Sequence, residues 1–233
     1  MALQTEIHTD AEAVARRAAV WIAEIVRQAI QQRGGCVLAL SGGNTPLPTL
    51  RALVTASIDW RRVQVLQVDE RVAPIDSPDR NFAQLRDALF ARIPLPAAQI
   101  HAMPVEDVDL VAAAERYGRL MTSLAGAPPR LDLVQLGLGA DGHTASLVPG
   151  DAALDMGDAD VAVTEIYRGR RRMTLTFPAI NRARHILWVV TGADKAGMLA
   201  RLVEGDLSLP ASRVARAPAL LLADRAAAAR LAQ

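Results

Sequence analysis

The sequence is short of several things, and each absence narrows its class. It has one cysteine, Cys36, in 233 residues. No disulfide can form within the chain, and a reducing compartment fits it best. Cys36 lies in an apolar run with no neighbour that lowers a thiol pKa, so it reads as a small core residue and not as a nucleophile. Charge of one sign is also lacking: 26 Lys+Arg face 25 Asp+Glu, for a net +1. A non-specific nucleic-acid binder shows a basic stripe, so no nucleic-acid partner is expected. No apolar run approaches the roughly 20 residues that cross a bilayer. Residues 1–10 lack the basic start and apolar stretch of a secretory signal. A cytoplasmic protein without a membrane partner is the expectation. Lysine is nearly missing too, since Lys195 is the one lysine among the 26 basic residues. A drift toward arginine explains the others but not this exception, which suits a site wanting a compact ammonium.

What is present is apolar: 51% of residues are hydrophobic, enough for a full core. Residues 9–33 repeat apolar positions at helical spacing, with Thr9 or Asp10 to cap the start and Gly34-Gly35 to stop it. Short apolar runs at 36–40, 63–68, 131–136, 185–191 and 219–223 read as buried strands. Helices are predicted at 47–55, 81–91, 105–124, 194–203 and in the Ala-rich C-terminus. Segments 160–167 and 172–177 read as a hairpin around Arg168-Gly169-Arg170-Arg171. The strands lack polar alternation, which predicts a mainly parallel sheet with helices on both faces, plus an antiparallel hairpin. No linker or repeat divides the chain, so a single α/β domain over 1–233 is expected. Ligands of such sheets sit beyond the carboxyl ends of the strands. Loops 41–46, 69–80, 137–150 and 191–195 all lie there.

The first of these loops, Ser41-Gly42-Gly43-Asn44-Thr45-Pro46, joins a strand to a helix. Glycines allow close approach to an anion, free N–H groups open the helix, and Ser41 and Thr45 add hydroxyls, so a phosphate site is read here. No Gly-Lys-Ser/Thr follows, so nucleotide hydrolysis is not supported. Asp69-Glu70-Arg71 follow an apolar strand directly. Arg71 can hold a phosphate in forked geometry, Asp69 or Glu70 can orient it or bind hydroxyls, and Arg80 and Asn81 can face the same space. In the third loop Gly137, Gly139 and Gly142 form a lone G-x-G-x-x-G, too weak for a dinucleotide site. The glycines serve better to place His143 at a strand's end, with Asp141 available to fix its tautomer. Lys195 stands in a first helical turn, where a cation opposes the helix dipole unless an anion is bound. His8, near the N-terminus, and His101 and His185 make no metal-ligand spacing, so no metal is expected.

Together these segments resemble the 6-phosphogluconolactonase family: LALSGGNTP at 38–46, VDERVAP at 68–74, LGLGADGHTASLVPG at 136–150, RMTLTFPAIN at 172–181 and TGADKAGML at 191–199. The resemblance implies a Rossmann-like α/β fold shared with glucosamine-6-phosphate deaminases and ribose-5-phosphate isomerases. It implies hydrolysis of 6-phospho-glucono-1,5-lactone without a cofactor, so a phosphorylated sugar lactone is the expected partner; a monomer or weak homo-oligomer is a separate expectation. It also implies His143 as general base, Arg71 and Lys195 as phosphate ligands, and the loop Ser41, Gly42, Gly43 and Thr45 completing the pocket. Stretch 76–81 departs from the family pattern by lacking a histidine, though Asn81 stands in the expected place. Two rivals are weaker. Amino-sugar-phosphate isomerases/deaminases continue Asp-Gly-His with an acid-bearing segment, where this chain has Thr144-Ala145-Ser146-Leu147. Sugar-phosphate sensors carry a DNA-binding segment, and no basic helix-turn-helix precedes Thr9.

Overall fold

The computed structural model describes residues 3–231. Ten strands and six helices follow one another as β1 (Gln4–His8), α1 (Ala11–Arg33), β2 (Cys36–Leu40), α2 (Leu47–Leu53), β3 (Val63–Gln67), β4 (Asp69–Arg71), α3 (Asn81–Ala88), β5 (Ile100–His101), α4 (Leu110–Ala125), β6 (Leu133–Leu136), β7 (Val161–Val163), β8 (Arg172–Leu175), α5 (Phe177–Asn181), β9 (Ile186–Val190), α6 (Ala196–Glu204) and β10 (Ala219–Asp224). Seven strands form one sheet in the order β1-β10-β9-β6-β2-β3-β5. Every pairing in it is parallel. Strands β4, β8 and β7 form a separate antiparallel sheet.

Burial on both faces explains the unbroken apolar strands. On β2, Leu38 and Leu40 pack with Val14, Ile22 and Val26 of α1 and with Leu50 and Leu53 of α2. The intervening Val37 and Ala39 face the other core, with Tyr117 and Met121 of α4 and Leu199 of α6. Strand β9 divides likewise, Leu187 and Val189 to one side, Ile186, Trp188 and Val190 to the other. Each fully buried Leu, Ile or Val side chain contributes about 1.5–3 kcal/mol. Helix α1 is bounded as predicted: the Asp10 carboxylate accepts from the Ala13 amide, and Gly34, at φ 79°, donates to the Ile30 carbonyl. Cys36 is buried and desolvation pushes its thiol up, so it is an inert core residue. No described helix is long and apolar enough to cross a membrane.

Several sequence expectations need correction. Residues 4–8, to which the sequence assigned no element, form an edge strand, with His8 registered opposite Asp224. That strand is half exposed and so lacks the apolar run that marked the others. Asp69–Arg71 is a strand, not a loop. Strand β8 ends earlier than expected, because Thr176 already caps α5 with its side chain, and β7 spans only Val161–Val163. Helix α4 starts at Leu110, capped by Asp109. The Ala-rich C-terminal segment forms a single tight turn at Ala227–Arg230.

Candidate active site

The carboxyl ends of β2, β3, β6 and β9 open onto one cavity of about 300 Å³, with the β7–β8 hairpin as an additional wall. Residues 41–46, Asp69, Arg71, Asn81, His143 and Lys195, which the sequence singled out in separate segments, all line it. The one-residue link at Val68 explains how. Its amide donates to the Leu40 carbonyl at 3.1 Å, and its carbonyl accepts from Leu175 at 2.8 Å. The chain thereby passes from the large sheet to the small one, placing Asp69 and Arg71 at the rim.

The first loop is held from below. Ser41 is buried; its amide donates to the Gln135 side chain at 3.1 Å and its hydroxyl to the Gln135 carbonyl at 2.8 Å. Gly42 presses on Asn81 so closely that a Cβ there would fall 2.4 Å from Oδ1. Gly43 takes φ 102°, where a Cβ is disfavoured. Its amide is not free for an anion, because it donates to Gln84 Oε1 at 2.6 Å. Thr45 lines the cavity.

The acids of the second segment separate. Asp69 is buried at the cavity wall, accepting from Ser146 Oγ at 2.6 Å and from Asn81 Nδ2 at 3.2 Å. Glu70 turns into the protein and is fully buried. It accepts from the amides of Arg71, Asn81 and Phe82 and from Gln67, and pairs with Arg80 at 3.3 Å. Glu70 therefore caps the start of α3 and does not line the cavity, leaving Asp69, the other acid the sequence offered, at its wall. Arg80 follows it inward, to Glu106 and the Ala73 carbonyl, and does not line the cavity. Arg71 does; it donates to the Asp79 carbonyl at 2.6 Å.

In the third loop the His143 carbonyl accepts from the Gly139 amide at 2.8 Å, closing a tight turn. The imidazole then lies on Gly139, where a Cβ would fall 2.1 Å from Nδ1. Nδ1 bonds Asp141 Oδ1 at 2.5 Å, which leaves Nε2 without a protein partner among the described residues. Asp141 Oδ2 accepts from the Tyr167 hydroxyl at 2.6 Å. Burial alone would raise the Asp141 carboxyl, but the bonds from Tyr167 and His143 together outweigh it and hold the group down at about 2. The amides of Ser41, Gly43, Gly139 and Gly142 are all taken up by protein acceptors; those of Gly42 and Ala140 carry no such bond among the described residues.

Sequence reasoning missed three residues. Tyr167 and Arg170 exchange backbone bonds of 2.9 and 3.3 Å across Arg168-Gly169. With both central residues at positive φ (51° and 80°), this is the two-residue turn that suits the twist of a hairpin. The turn brings Arg168 to the cavity, and Arg172, at the start of β8, enters it from below. Arg172 is 8% exposed. Its Nη1 lies 3.4 Å from Ser146 Oγ and its Nε has no partner among the described residues. Desolvation opposes its charge, which neighbouring Asp69 only partly restores. Lys195 is mostly buried and touches Asp194 at 3.1 Å. Four cations and one carboxylate thus line a cavity beside an imidazole. An anion in such a place would be met by charge-assisted donors, with a base close to its uncharged end.

Comparison with known proteins shows the family. Residues 9–222 match the family model described as glucosamine-6-phosphate isomerases/6-phosphogluconolactonase. A 6-phosphogluconolactonase from Synechocystis sp. is 38% identical over 206 residues, covering 87% of this chain and 85% of the relative. The solved structure of a 6-phosphogluconolactonase from Trypanosoma brucei superposes with a TM-score of 0.85 at 27% identity, over 99% of each chain. A monomeric glucosamine-6-phosphate deaminase of the NagB superfamily superposes at 0.86 with 22% identity, over 98% of this chain and 100% of that one, a likeness of fold. The chain belongs to the glucosamine-6-phosphate isomerase/6-phosphogluconolactonase family.

Proposed function

We propose that this enzyme hydrolyses 6-phospho-glucono-1,5-lactone to 6-phosphogluconate, with His143 as general base. The observation that carries the reading is the pairing of one imidazole, its Nε2 free, with four cations around one cavity. Arg71, Arg168, Arg172 and Lys195 would take the phosphate, and the hydroxyls of the sugar would meet Asp69, Asn81 and the loop 41–46. Fixing the remote phosphate holds the ring carbonyl in reach, so the attack becomes effectively unimolecular. Water gives a proton to His143 Nε2 as its oxygen adds to the carbonyl carbon. When the tetrahedral intermediate collapses, the carbon–ring-oxygen bond breaks and the imidazolium returns the proton to the departing oxygen. The new carboxylic acid ionises, releasing one proton to solvent. The Gly42 and Ala140 amides are the available donors for the oxyanion.

The deaminase reading of the same fold is disfavoured because the segment after His143, Thr144-Ala145-Ser146-Leu147-Val148, carries no acid. Proton release from freshly prepared lactone, with spontaneous opening subtracted, tests the proposal. Acceleration that saturates with lactone is expected. A rate equal to the spontaneous one sinks it, and ammonia release from glucosamine 6-phosphate would favour the rival.

A further inference from the structure

The hairpin turn supplies a side chain that no motif announced. The Tyr167 hydroxyl donates to one oxygen of Asp141 at 2.6 Å, while the other oxygen bonds His143 Nδ1 at 2.5 Å. The Tyr167 ring stands edge-on to the imidazole, with centroids 5.7 Å apart. The guanidinium carbons of Arg168 and Arg172 lie 5.1 and 5.0 Å from the same ring centroid. One residue therefore touches the carboxylate behind the base with its hydroxyl and two cavity cations with its ring.

A carboxylate held at one oxygen can swing about its own axis, and the imidazole it orients swings with it. Anchoring the second oxygen removes that freedom. The phenol also draws charge from Asp141, which limits how strongly the carboxylate favours an imidazolium. Burial and the Asp141 contact both push the phenol up, so it remains a donor throughout the working range. Resting on the lactonase reading above, we propose that Tyr167 is a positioning residue: it locks Asp141 so that His143 keeps its Nδ1 proton on the carboxylate side and offers Nε2 to water.

The charged and titratable groups around the imidazole act in two directions. Asp141, in its own loop, and Asp69, across the cavity, favour the imidazolium. Arg71 on β4, Arg168 in the hairpin turn, Arg172 on β8 and Lys195 before α6 oppose it. Tyr167→Phe keeps the ring beneath both arginines and removes only the hydroxyl. Asp141 then draws more strongly on His143.

With four histidines in the chain, the His143 imidazole can be followed individually by NMR titration. In Tyr167→Phe its titration should move to higher pH, because Asp141 no longer shares its charge with the phenol. The acid limb of the kcat profile should move up in step, and kcat at neutral pH should fall about tenfold, the order expected for one hydrogen bond to a charged group. KM should stay within about twofold, because the cation–ring contacts persist. Tyr167→Leu, which loses the ring as well, should also raise KM. An unmoved His143 titration in Tyr167→Phe overturns the proposal, whatever happens to melting temperature. The NMR readout stands apart from turnover. A parent chain that does not accelerate lactone opening sinks the functional reading alone, while an active parent with an unchanged Tyr167→Phe sinks this inference alone.

Discussion

Gly139→Ala is the most demanding test of the site, because its effect follows from geometry alone. The added methyl carbon would lie 2.1 Å from His143 Nδ1, 2.3 Å from Cε1 and 2.7 Å from Asp141 Oδ1. Real contacts of this kind need well over 3 Å, so the imidazole must retreat by about 1 Å or more. A displacement of that size at a reacting group costs about a hundredfold in rate. The obstructing atoms belong to a side chain beside an open cavity, so the ring can yield without unfolding the loop. The expected result is a kcat lowered about a hundredfold, within the reach of general-base catalysis. The melting temperature and the affinity for inorganic phosphate should hold. Steady-state proton release gives kcat, and isothermal titration gives phosphate affinity. A second comparison isolates the cause: once His143→Ala has removed the ring, adding Gly139→Ala should cost almost nothing more, since the two changes act on one group. An alanine variant with parental kcat, or a double variant far slower than His143→Ala, would refute the reasoning.

Three further outcomes are expected. Arg172→Met should raise KM for the phosphorylated lactone about tenfold or more while leaving the melting temperature equal or higher, because it removes a buried guanidinium that lacks a full set of partners; an unchanged KM would detach Arg172 from the phosphate. Glu70→Gln should destabilise the protein by about 3–5 kcal/mol in urea unfolding, since an amide nitrogen would meet donors where a carboxylate now accepts from Arg71, Asn81, Phe82 and Gln67; full stability would show that the carboxylate is not the cap of α3. For Asp141 the folded carboxyl sits at about 2, below its ordinary 3.8, so its stabilising contribution is complete above about pH 4 and fades as pH falls toward 2. Asp141→Asn should therefore lose less stability than the parent between those limits in thermal melts, and parallel curves would contradict the assignment.

Much of the scaffold was legible because five strands are buried on both faces and so write unbroken apolar runs. The glycine loops were legible for a related reason: Gly42 and Gly139 stand where a Cβ would strike Asn81 or His143. What escaped notice lacked such a signature. Strand β1 is half exposed, and β4 is three charged residues whose pairing comes from β8, over 100 positions away. Arg168 and Arg172 were hidden by abundance. In a chain where nearly all basic residues are arginine, four more in 168–172 carry no distinguishing mark until burial separates them. Lys195 stood out by the opposite logic. Glu70 misled because adjacent acids in a strand point to opposite sides, and a sequence does not say which side holds the ligand.

The splice at Val68 has a consequence for how the enzyme would meet ligands of the wrong length. Both ladders that converge there are backbone, so the gap between the large sheet, whose strand ends carry Ser41 and Lys195, and the small sheet, which carries Arg71 and Arg172, is set by peptide spacing and not by adjustable side chains. Widening it would mean breaking a ladder bond in the middle of the molecule. A shorter or longer sugar acid lactone would thus reach either its anchor or its water, not both, and selectivity would be written in the frame and not in the lining.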